Sequence, residues 1–292
     1  SNDIPANVLI LLDKSASMTL AAVPPGDIYE PQAIAVDHTE GSTDSSSYVG
    51  MSSFIVKVDY NTNVIDDTWA FAASGKCLMG NIKELRIHTN KLYVIDYTND
   101  VLFRIDLTSK SCEFLSSINN PRSMDIKGDI LYATGEEMLV FDLSNATPLA
   151  ITCAYNGELK SDGQDSLALA IDSSGENLYF HNNGELKRHQ IGDDECPSLD
   201  RTSTIDTEAH FDVTHGFIFE PDSDDVIYMP SYDRDKFFKV TLNASKTSAD
   251  FEDYTQILYN LSSPSTADNT FIDYPFGIDI DPENERIHFV SR

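Results

Sequence analysis

The chain alternates short apolar segments with clusters of Asn, Asp, Gly and Ser, and helical periodicity is nearly absent. Short alternating or β-branched segments bounded by such turn residues are typical of strands. One example is KLYVIDYTND, which begins at Lys91, followed by VLFRIDLTSK. The pattern therefore predicts an all-β chain.

A four-strand unit recurs along the sequence. It consists of a strand ending in Asp, Gly or Asn, a Leu/Ile-Tyr strand, a strand ending near Asp-Leu, and an outer strand. The units lie near residues 34, 86, 125, 169, 218 and 278. Units of about 40–50 residues with four strands are the mark of β-propeller blades. We therefore predict a six-bladed β-propeller with four-stranded antiparallel blades.

The two ends of the chain each supply part of a unit. Residues 278–292 match the inner strands of a blade, and residues 1–23 match the outer strands. A blade shared by both ends would remove the free sheet edges that promote aggregation. We therefore predict that residues 1–292 form a single propeller domain whose ring is closed by this shared blade.

The segments LYVIDYTNDVLFRIDL, LALAIDSSGENLYF and YPFGIDIDPENERIHFVS resemble six-bladed propellers of the NHL, YncE and SMP-30/gluconolactonase group. In gluconolactonase-like members a Glu, an Asn and an Asp converge on a divalent cation, and one carboxylate acts as base. The resemblance implies such a position for Glu30. However, this chain has His215-Gly216 where that family carries Asn-Gly, and its full ligand set is not present. A divalent-cation-dependent hydrolase or lactonase is therefore the alternative function.

The charge excludes several classes of partner. The sequence holds 48 Asp and Glu against 20 Lys and Arg, a formal net charge of −28. Such a surface repels nucleic-acid phosphates and anionic lipid headgroups. No apolar run approaches the roughly 18 residues that span a bilayer, and no signal-peptide pattern is present. We expect a monomeric, mature or trimmed chain that neither binds nucleic acid nor inserts into membranes.

Four cysteines are separated by 35, 41 and 43 residues, and none forms a C-x-x-C pair. They are either free thiols or two disulfides, Cys77–Cys112 and Cys153–Cys196. An even count in an acidic chain rich in Ser, Thr and Asn favours an oxidising compartment. We therefore expect a secreted, periplasmic or cell-surface location.

Propeller ligands usually meet the face formed by the loops that enter the innermost strands and by the loops between second and third strands. The candidate ligand-binding residues in these loops are Glu30, Arg122, Asp165, His215, Tyr274, His181 and Tyr232. Further candidates in the second set of loops are Tyr97, Glu136, Asn182 and Arg292. The seven histidines lack metal-site spacing, so we interpret them as surface or rim residues.

The string NVLILLDKSASM resembles the first metal-site segment of von Willebrand A domains, as found in type IV pilus tip adhesins that combine an A-type segment with a propeller. The resemblance implies that Asp13, Ser15 and Ser17 hold a divalent metal such as Mg²⁺. The rest of an A domain is missing, and Asp and Ser also favour hairpin turns. The segment is therefore either a metal site or a plain turn.

No complete catalytic constellation accompanies the strong fold pattern. We predict a non-catalytic, extracytoplasmic binding or adhesion propeller that presents a channel or rim face to a protein, glycan or small ligand. It would be part of a larger surface adhesin. No cofactor is assigned, and Ca²⁺ and Mg²⁺ are the candidate ions.

Overall fold

The computed structural model of the protein describes residues 9–12, 32–37, 46–51, 54–59, 64–72, 77–153, 167–182, 185–192, 196–206, 216–221, 223–231, 235–254, 275–281 and 286–291. Every regular element within these ranges is a β-strand. In this part of the chain there is no helix with the length and apolar character that crossing a membrane requires.

The first strand, β1 (Leu9–Leu12), precedes five groups of four strands. Blade 1 contains β2 (Ala33–Val36), β3 (Ser46–Gly50), β4 (Phe54–Asp59) and β5 (Val64–Ala72). Blade 2 contains β6 (Ile82–His88), β7 (Lys91–Asp96), β8 (Val101–Asp106) and β9 (Cys112–Ser117). Blade 3 contains β10 (Ser123–Lys127), β11 (Ile130–Thr134), β12 (Met138–Asp142) and β13 (Ala150–Cys153). Blade 4 contains β14 (Leu167–Ile171), β15 (Asn177–Asn182), β16 (Glu185–Ile191) and β17 (Pro197–Asp206). Blade 5 contains β18 (Ile218–Phe219), β19 (Val226–Ser231), β20 (Lys236–Leu242) and β21 (Ala249–Asp253). Two further strands, β22 (Pro275–Asp281) and β23 (Arg286–Ser291), follow blade 5.

Each blade is an antiparallel sheet whose strands lie side by side in chain order. Short turns explain this order, because a tight turn folds a strand back on its predecessor. Between β6 and β7, for example, Thr89 and Asn90 have φ values of 48° and 58°, as a two-residue hairpin turn requires. The first strands of consecutive blades contact one another. The predicted all-β propeller with four-stranded antiparallel blades is thereby confirmed.

The predicted blade count is wrong for the described residues, which form five four-stranded blades rather than six. The remaining sheet has three described strands, in the order β1–β23–β22. Leu9 to Leu12 pair with His288 to Ser291 in parallel, whereas every blade pairs its strands antiparallel. The two ends of the chain therefore pair within one sheet, with β1 parallel rather than antiparallel to its neighbour. Closure of the ring stays a prediction.

The three-stranded sheet contacts blades on both sides. The rings of Phe289 in β23 and Phe237 in blade 5 lie 5.4 Å apart between their centroids. On the other side, a Cβ added to Gly277 would lie 2.7 Å from the Cα atom of Ala33 in blade 1. Glycine at position 277 therefore permits a close backbone approach that any side chain would obstruct.

One buried position repeats from sheet to sheet. In each of the five blades a tyrosine of the second strand pairs with a residue of the inner strand, and in the three-stranded sheet a histidine takes this place. These residues are Tyr48, Tyr93, Tyr132, Tyr179, Tyr228 and His288, and all are buried. The Leu/Ile-Tyr strand seen in the sequence is thus the second strand of each blade, and its aromatic ring belongs to the core.

The core lies between neighbouring blades. Ile55 and Phe71 of blade 1, for example, share an apolar cluster with Leu85 and Phe103 of blade 2. Burial of such side chains stabilises the fold by roughly 2 kcal/mol each.

The predicted disulfides Cys77–Cys112 and Cys153–Cys196 are both present. The first joins the segment before β6 to β9 within blade 2, and the second joins blade 3 to blade 4.

Candidate functional site

Two of the seven predicted ligand-binding residues, Arg122 and His181, lie in the described part of the chain. The other five, together with the three predicted metal ligands of the amino-terminal segment, lie outside the described residues. These are Glu30, Asp165, His215, Tyr232, Tyr274, Asp13, Ser15 and Ser17.

Arg122 and Tyr97 meet on the face that the sequence predicts for ligands. Arg122 directly precedes the inner strand β10, and Tyr97 follows the second strand β7. The guanidinium carbon of Arg122 lies 4.4 Å from the centroid of the Tyr97 ring, and Lys83 Nζ lies 5.6 Å from the same centroid. We call Lys83, Tyr97 and Arg122 the rim cluster. Two cations close to one aromatic ring are an arrangement that cation–π attraction stabilises.

Asp96 holds the turn that carries Tyr97. Its buried carboxylate accepts hydrogen bonds from the backbone N–H of Asn99, at 2.9 Å, and from that of Gly80. The Tyr97 N–H donates to the carbonyl of Asn81 at 2.8 Å. These bonds tie the turn that carries Tyr97 to the segment that leads into β6.

A second group of polar residues follows the rim cluster along β6 and β10. Arg86 Nη1 donates to Glu84 Oε1 at 2.6 Å, and Arg86 Nε donates to Asp125 Oδ1 at 3.2 Å. The Ser123 hydroxyl donates to Glu84 Oε2 at 3.2 Å. We call Glu84, Arg86, Ser123 and Asp125 the channel cluster. Glu84 has 0% of its surface exposed and Arg86 has 5%.

The Glu84 carboxyl lies where several blades converge. It belongs to blade 2 and contacts Ser123 of blade 3. A Cβ added to Gly216, just before blade 5, would lie 3.7 Å from Glu84 Oε2 and 3.7 Å from Ile278 Cγ2. Ile278 belongs to β22 of the three-stranded sheet. The carboxyl is therefore surrounded by inner strands from separate sheets, which is the position of a propeller's central channel.

Burial dominates the ionisation of this cluster. It raises the pKa of Glu84 from 4.5 to about 7, while Arg86 and Ser123 oppose the shift and Asp125 and Asp279 add to it. Burial likewise raises the pKa of Asp125 against the attraction of Arg86. Glu84 is therefore a weaker acid in the fold than an exposed glutamate, despite its ion pair with Arg86.

Two aspartates join neighbouring inner strands. Asp125 Oδ2 accepts a hydrogen bond of 2.9 Å from the backbone N–H of Ile171 in blade 4. Asp279 Oδ2 accepts one of 2.7 Å from the N–H of Val36 in blade 1. A buried carboxylate that accepts backbone N–H groups is a strong, charge-assisted contact. These carboxylates therefore stabilise the contacts between sheets.

The sequence analysis missed Glu84, Arg86, Asp125 and Asp279. A signal was available, because the last three occupy the same register position, opposite the repeated tyrosine or histidine. Charged residues at an otherwise apolar inner-strand position indicate contacts at the channel.

The interpretation of the histidines as surface or rim residues is wrong for three of them. His181, His189 and His288 are buried within β15, β16 and β23. His181 pairs with Ala168 and Leu186, whose side chains are fully buried. His181 therefore lies in the blade interior, and its ligand-binding role stays a prediction.

The described residues contain no group of three or more His, Cys, Asp or Glu side chains placed to hold a metal ion. Glu84 and Asp125 both contact Arg86, so the cation that these two carboxylates hold is a guanidinium.

Comparison with known proteins supports the architecture. No protein-family model and no curated protein matches the chain. A chain in a mitotic checkpoint complex has a TM-score of 0.59 at 11% identity, covering 91% of this chain and 86% of that one. An auxiliary nutrient binding protein from Bacteroides ovatus has a TM-score of 0.58 at 11% identity, covering 89% and 69%. A chain of a nidogen/laminin complex has a TM-score of 0.52 at 10% identity, covering 76% and 79%.

At such low identity these likenesses show the propeller fold alone. The resemblance to the NHL, YncE and SMP-30 group is not confirmed, and neither is the resemblance to von Willebrand A domains.

Proposed function

We propose that the protein is a non-catalytic, extracytoplasmic binding propeller whose ligand contacts the face that carries the rim cluster. The observation that carries this proposal is the convergence of Arg122 and Lys83 on the Tyr97 ring at the entrance to the inner strands. Arginine and tyrosine are enriched among the residues that dominate binding energy in interfaces. The ligand is a protein, a glycan or a small molecule.

Two further observations support the proposal. The two disulfides join residues that are 35 and 43 positions apart in the sequence, and disulfides persist in oxidising compartments. One structural neighbour is named as a nutrient-binding protein, so a propeller of this architecture serves a binding role in another chain. A place within a surface adhesin is suggested only by the amino-terminal DKSAS segment.

The test is a pair of variants at the two ends of β10. The buried Arg122 directly precedes this strand, and the exposed Lys127 ends it. Both changes, Arg122→Ala and Lys127→Ala, remove one positive charge from the same blade. The wild type is screened against arrays of purified glycans and extracellular proteins, and each confirmed ligand is then titrated with both variants by calorimetry.

We expect Arg122→Ala to weaken binding at least tenfold and Lys127→Ala to leave the dissociation constant within twofold. Equal affinity for the two variants, or loss of binding only in Lys127→Ala, would contradict the proposed face. Turnover of an array ligand by the wild type would contradict the non-catalytic function.

A further inference from the structure

The outer strand of blade 3 has an open edge. β13 is the last strand of its sheet, and among the described strands it pairs with β12 alone. Such an edge presents backbone N–H and C=O groups with which the strand of another chain can pair. Two large apolar side chains are exposed beside this edge. Leu149, which directly precedes β13, is 79% exposed, and Ile151 within the strand is 46% exposed.

β13 differs in charge from the outer strands of the other four blades. Charged side chains on an edge strand are a common protection against pairing with another chain. Among the five described outer strands, β13 alone contains no charged residue. The acidic residues of the other four are Asp66 and Asp67 in β5, Glu113 in β9, Asp200 and Asp206 in β17, and Asp250, Glu252 and Asp253 in β21.

Contacts on both sides hold β13 in place. In the turn before it, the carbonyl of Ala146 accepts a hydrogen bond of 2.8 Å from Arg104 Nη2 of blade 2. At its carboxyl end, Cys153 is bonded to Cys196, which directly precedes β17 of blade 4. A strand that is already fixed loses little conformational entropy when a partner binds to it. The open edge is therefore preorganised for pairing.

The segment that forms this edge is acidic. Residues 136–153 contain three carboxylates and no Lys, Arg or His. Asp142 ends β12, and Glu137 directly precedes the first residue of that strand. Because β12 pairs with β13 along its length, a carboxylate lies towards each end of the uncharged edge. The cation that contacts the preceding turn, Arg104, is paired with Glu113 at 2.7 Å.

We propose that the open edge of β13 binds an extended segment of a partner protein by strand addition, and that this segment carries basic residues on either side of an apolar, β-branched centre. In this mode of recognition backbone hydrogen bonds supply affinity and side chains supply selectivity. The apolar centre covers Leu149 and Ile151, and the basic residues complement Asp142 and Glu137. The formal net charge of −28 also favours the approach of a basic partner.

The experiment titrates three synthetic peptides with blocked ends and a fluorescent label into the wild type, with anisotropy as the measurement. KVTVTVK has the proposed pattern, and EVTVTVE reverses only the charge of its two ends. KVTPPVK keeps the basic ends but lacks one backbone N–H on each edge of the peptide, because proline has none. We expect KVTVTVK to bind, and each of the other two peptides to bind at least tenfold more weakly.

Two variants with similar changes test the location. Ile151→Lys places a positive charge on the open edge of β13. Phe114→Lys does so on β9, the outer strand of blade 2, where the phenylalanine is 39% exposed. We expect Ile151→Lys to weaken binding of KVTVTVK at least tenfold and Phe114→Lys to leave the dissociation constant within twofold. Circular dichroism establishes that each variant is folded. If Ile151→Lys is not, hydrogen exchange of the wild type decides, with protection by the peptide expected in β13 and not in β9.

Four results would overturn the inference. They are failure of KVTVTVK to bind, binding of EVTVTVE or KVTPPVK with the same affinity, an equal loss of affinity in the two variants, and protection in β9 rather than in β13. A wild-type dimer in analytical ultracentrifugation that Ile151→Lys dissociates would also overturn it, because the edge would then belong to a second copy of this chain. The rim cluster takes no part in these measurements, so this inference and the proposed function fail separately.

Discussion

The Asp279 carboxylate accepts a 2.7 Å hydrogen bond from the backbone N–H of Val36. Asp279 lies in β22 near the carboxyl end of the described chain, and Val36 lies in blade 1, so the bond spans 243 residues of sequence. It joins the inner strand of the three-stranded sheet to the inner strand of the first blade. The equivalent residue of blade 3, Asp125, makes the same kind of bond to blade 4.

Removal of the Asp279 carboxylate should destabilise the fold. In Asp279→Ala the buried N–H of Val36 loses its side-chain acceptor, which costs about 1–3 kcal/mol. Chemical denaturation measures the change, with Asp250→Ala on the exposed face of β21 as the control. A loss below 0.5 kcal/mol, on the order of an ordinary surface substitution, would show that the bond contributes little.

A methyl group at Gly277 should also weaken the contact between these two sheets. The added Cβ would lie 2.7 Å from the Cα atom of Ala33, a backbone atom that cannot rotate away. We expect Gly277→Ala to lower the free energy of unfolding by about 1–3 kcal/mol. Gly216→Ala is the matched control, since its added Cβ meets side-chain atoms at an ordinary 3.7 Å. Equal stability of the two variants in thermal denaturation would contradict this close approach.

Glu84 should make stability depend on pH near neutrality. Its pKa is about 7 in the fold against 4.5 ordinarily, so the folded state binds the extra proton between these values. Stability from this group is present in full below pH 4.5 and is lost as pH rises through 7, by about 3 kcal/mol in total. The unfolding free energy of the wild type minus that of Glu84→Gln should therefore fall from pH 5 to pH 8, because glutamine does not titrate. The same difference for Glu252→Gln, on the exposed face of β21, should stay constant. A constant difference for Glu84→Gln would contradict the raised pKa.

Loss of either disulfide should destabilise the protein, because the unfolded chain then gains conformational entropy. The bridges Cys77–Cys112 and Cys153–Cys196 close loops of 35 and 43 residues. Chain entropy predicts a loss of about 4 kcal/mol for each when both cysteines are replaced by alanine. Because the two loops are similar in length, the two double variants should lose similar stability in urea denaturation. A loss below about 1 kcal/mol in either variant would show that its bridge does not constrain the unfolded state.

Local patterns predict the blades well because each strand pairs with its neighbour in the chain. The Leu/Ile-Tyr segments around Tyr93 and Tyr132 and the turn at Asn90 suffice to place the strands of blades 2 and 3. The ends of the chain are different, because β1 pairs with β23 across almost the whole sequence. Nothing in LILL distinguishes a parallel from an antiparallel partner, so the parallel pairing of β1 with β23 could not be predicted from the sequence.

The candidate site was predictable only in part. Arg122 and Tyr97 follow from loop position, since the start of an inner strand and the end of a second strand lie on the same face of a propeller. Glu84 and Arg86 do not, because their roles depend on contacts with Ser123 and Gly216 from other blades. Long-range contacts of this kind leave no local pattern beyond a charge within an apolar strand.

The central claim is that ligands contact the face that carries the rim cluster, and hydrogen exchange of the ligand-saturated protein tests it most directly. We predict slowed exchange of the backbone amides at 81–83, 97–100 and 120–122, which lie at that end of blades 2 and 3. The turns at 89–90 and 128–129, at the opposite end of the same blades, should exchange as in the free protein. Protection confined to 89–90 and 128–129 would place the ligand on the opposite face and contradict the proposed function.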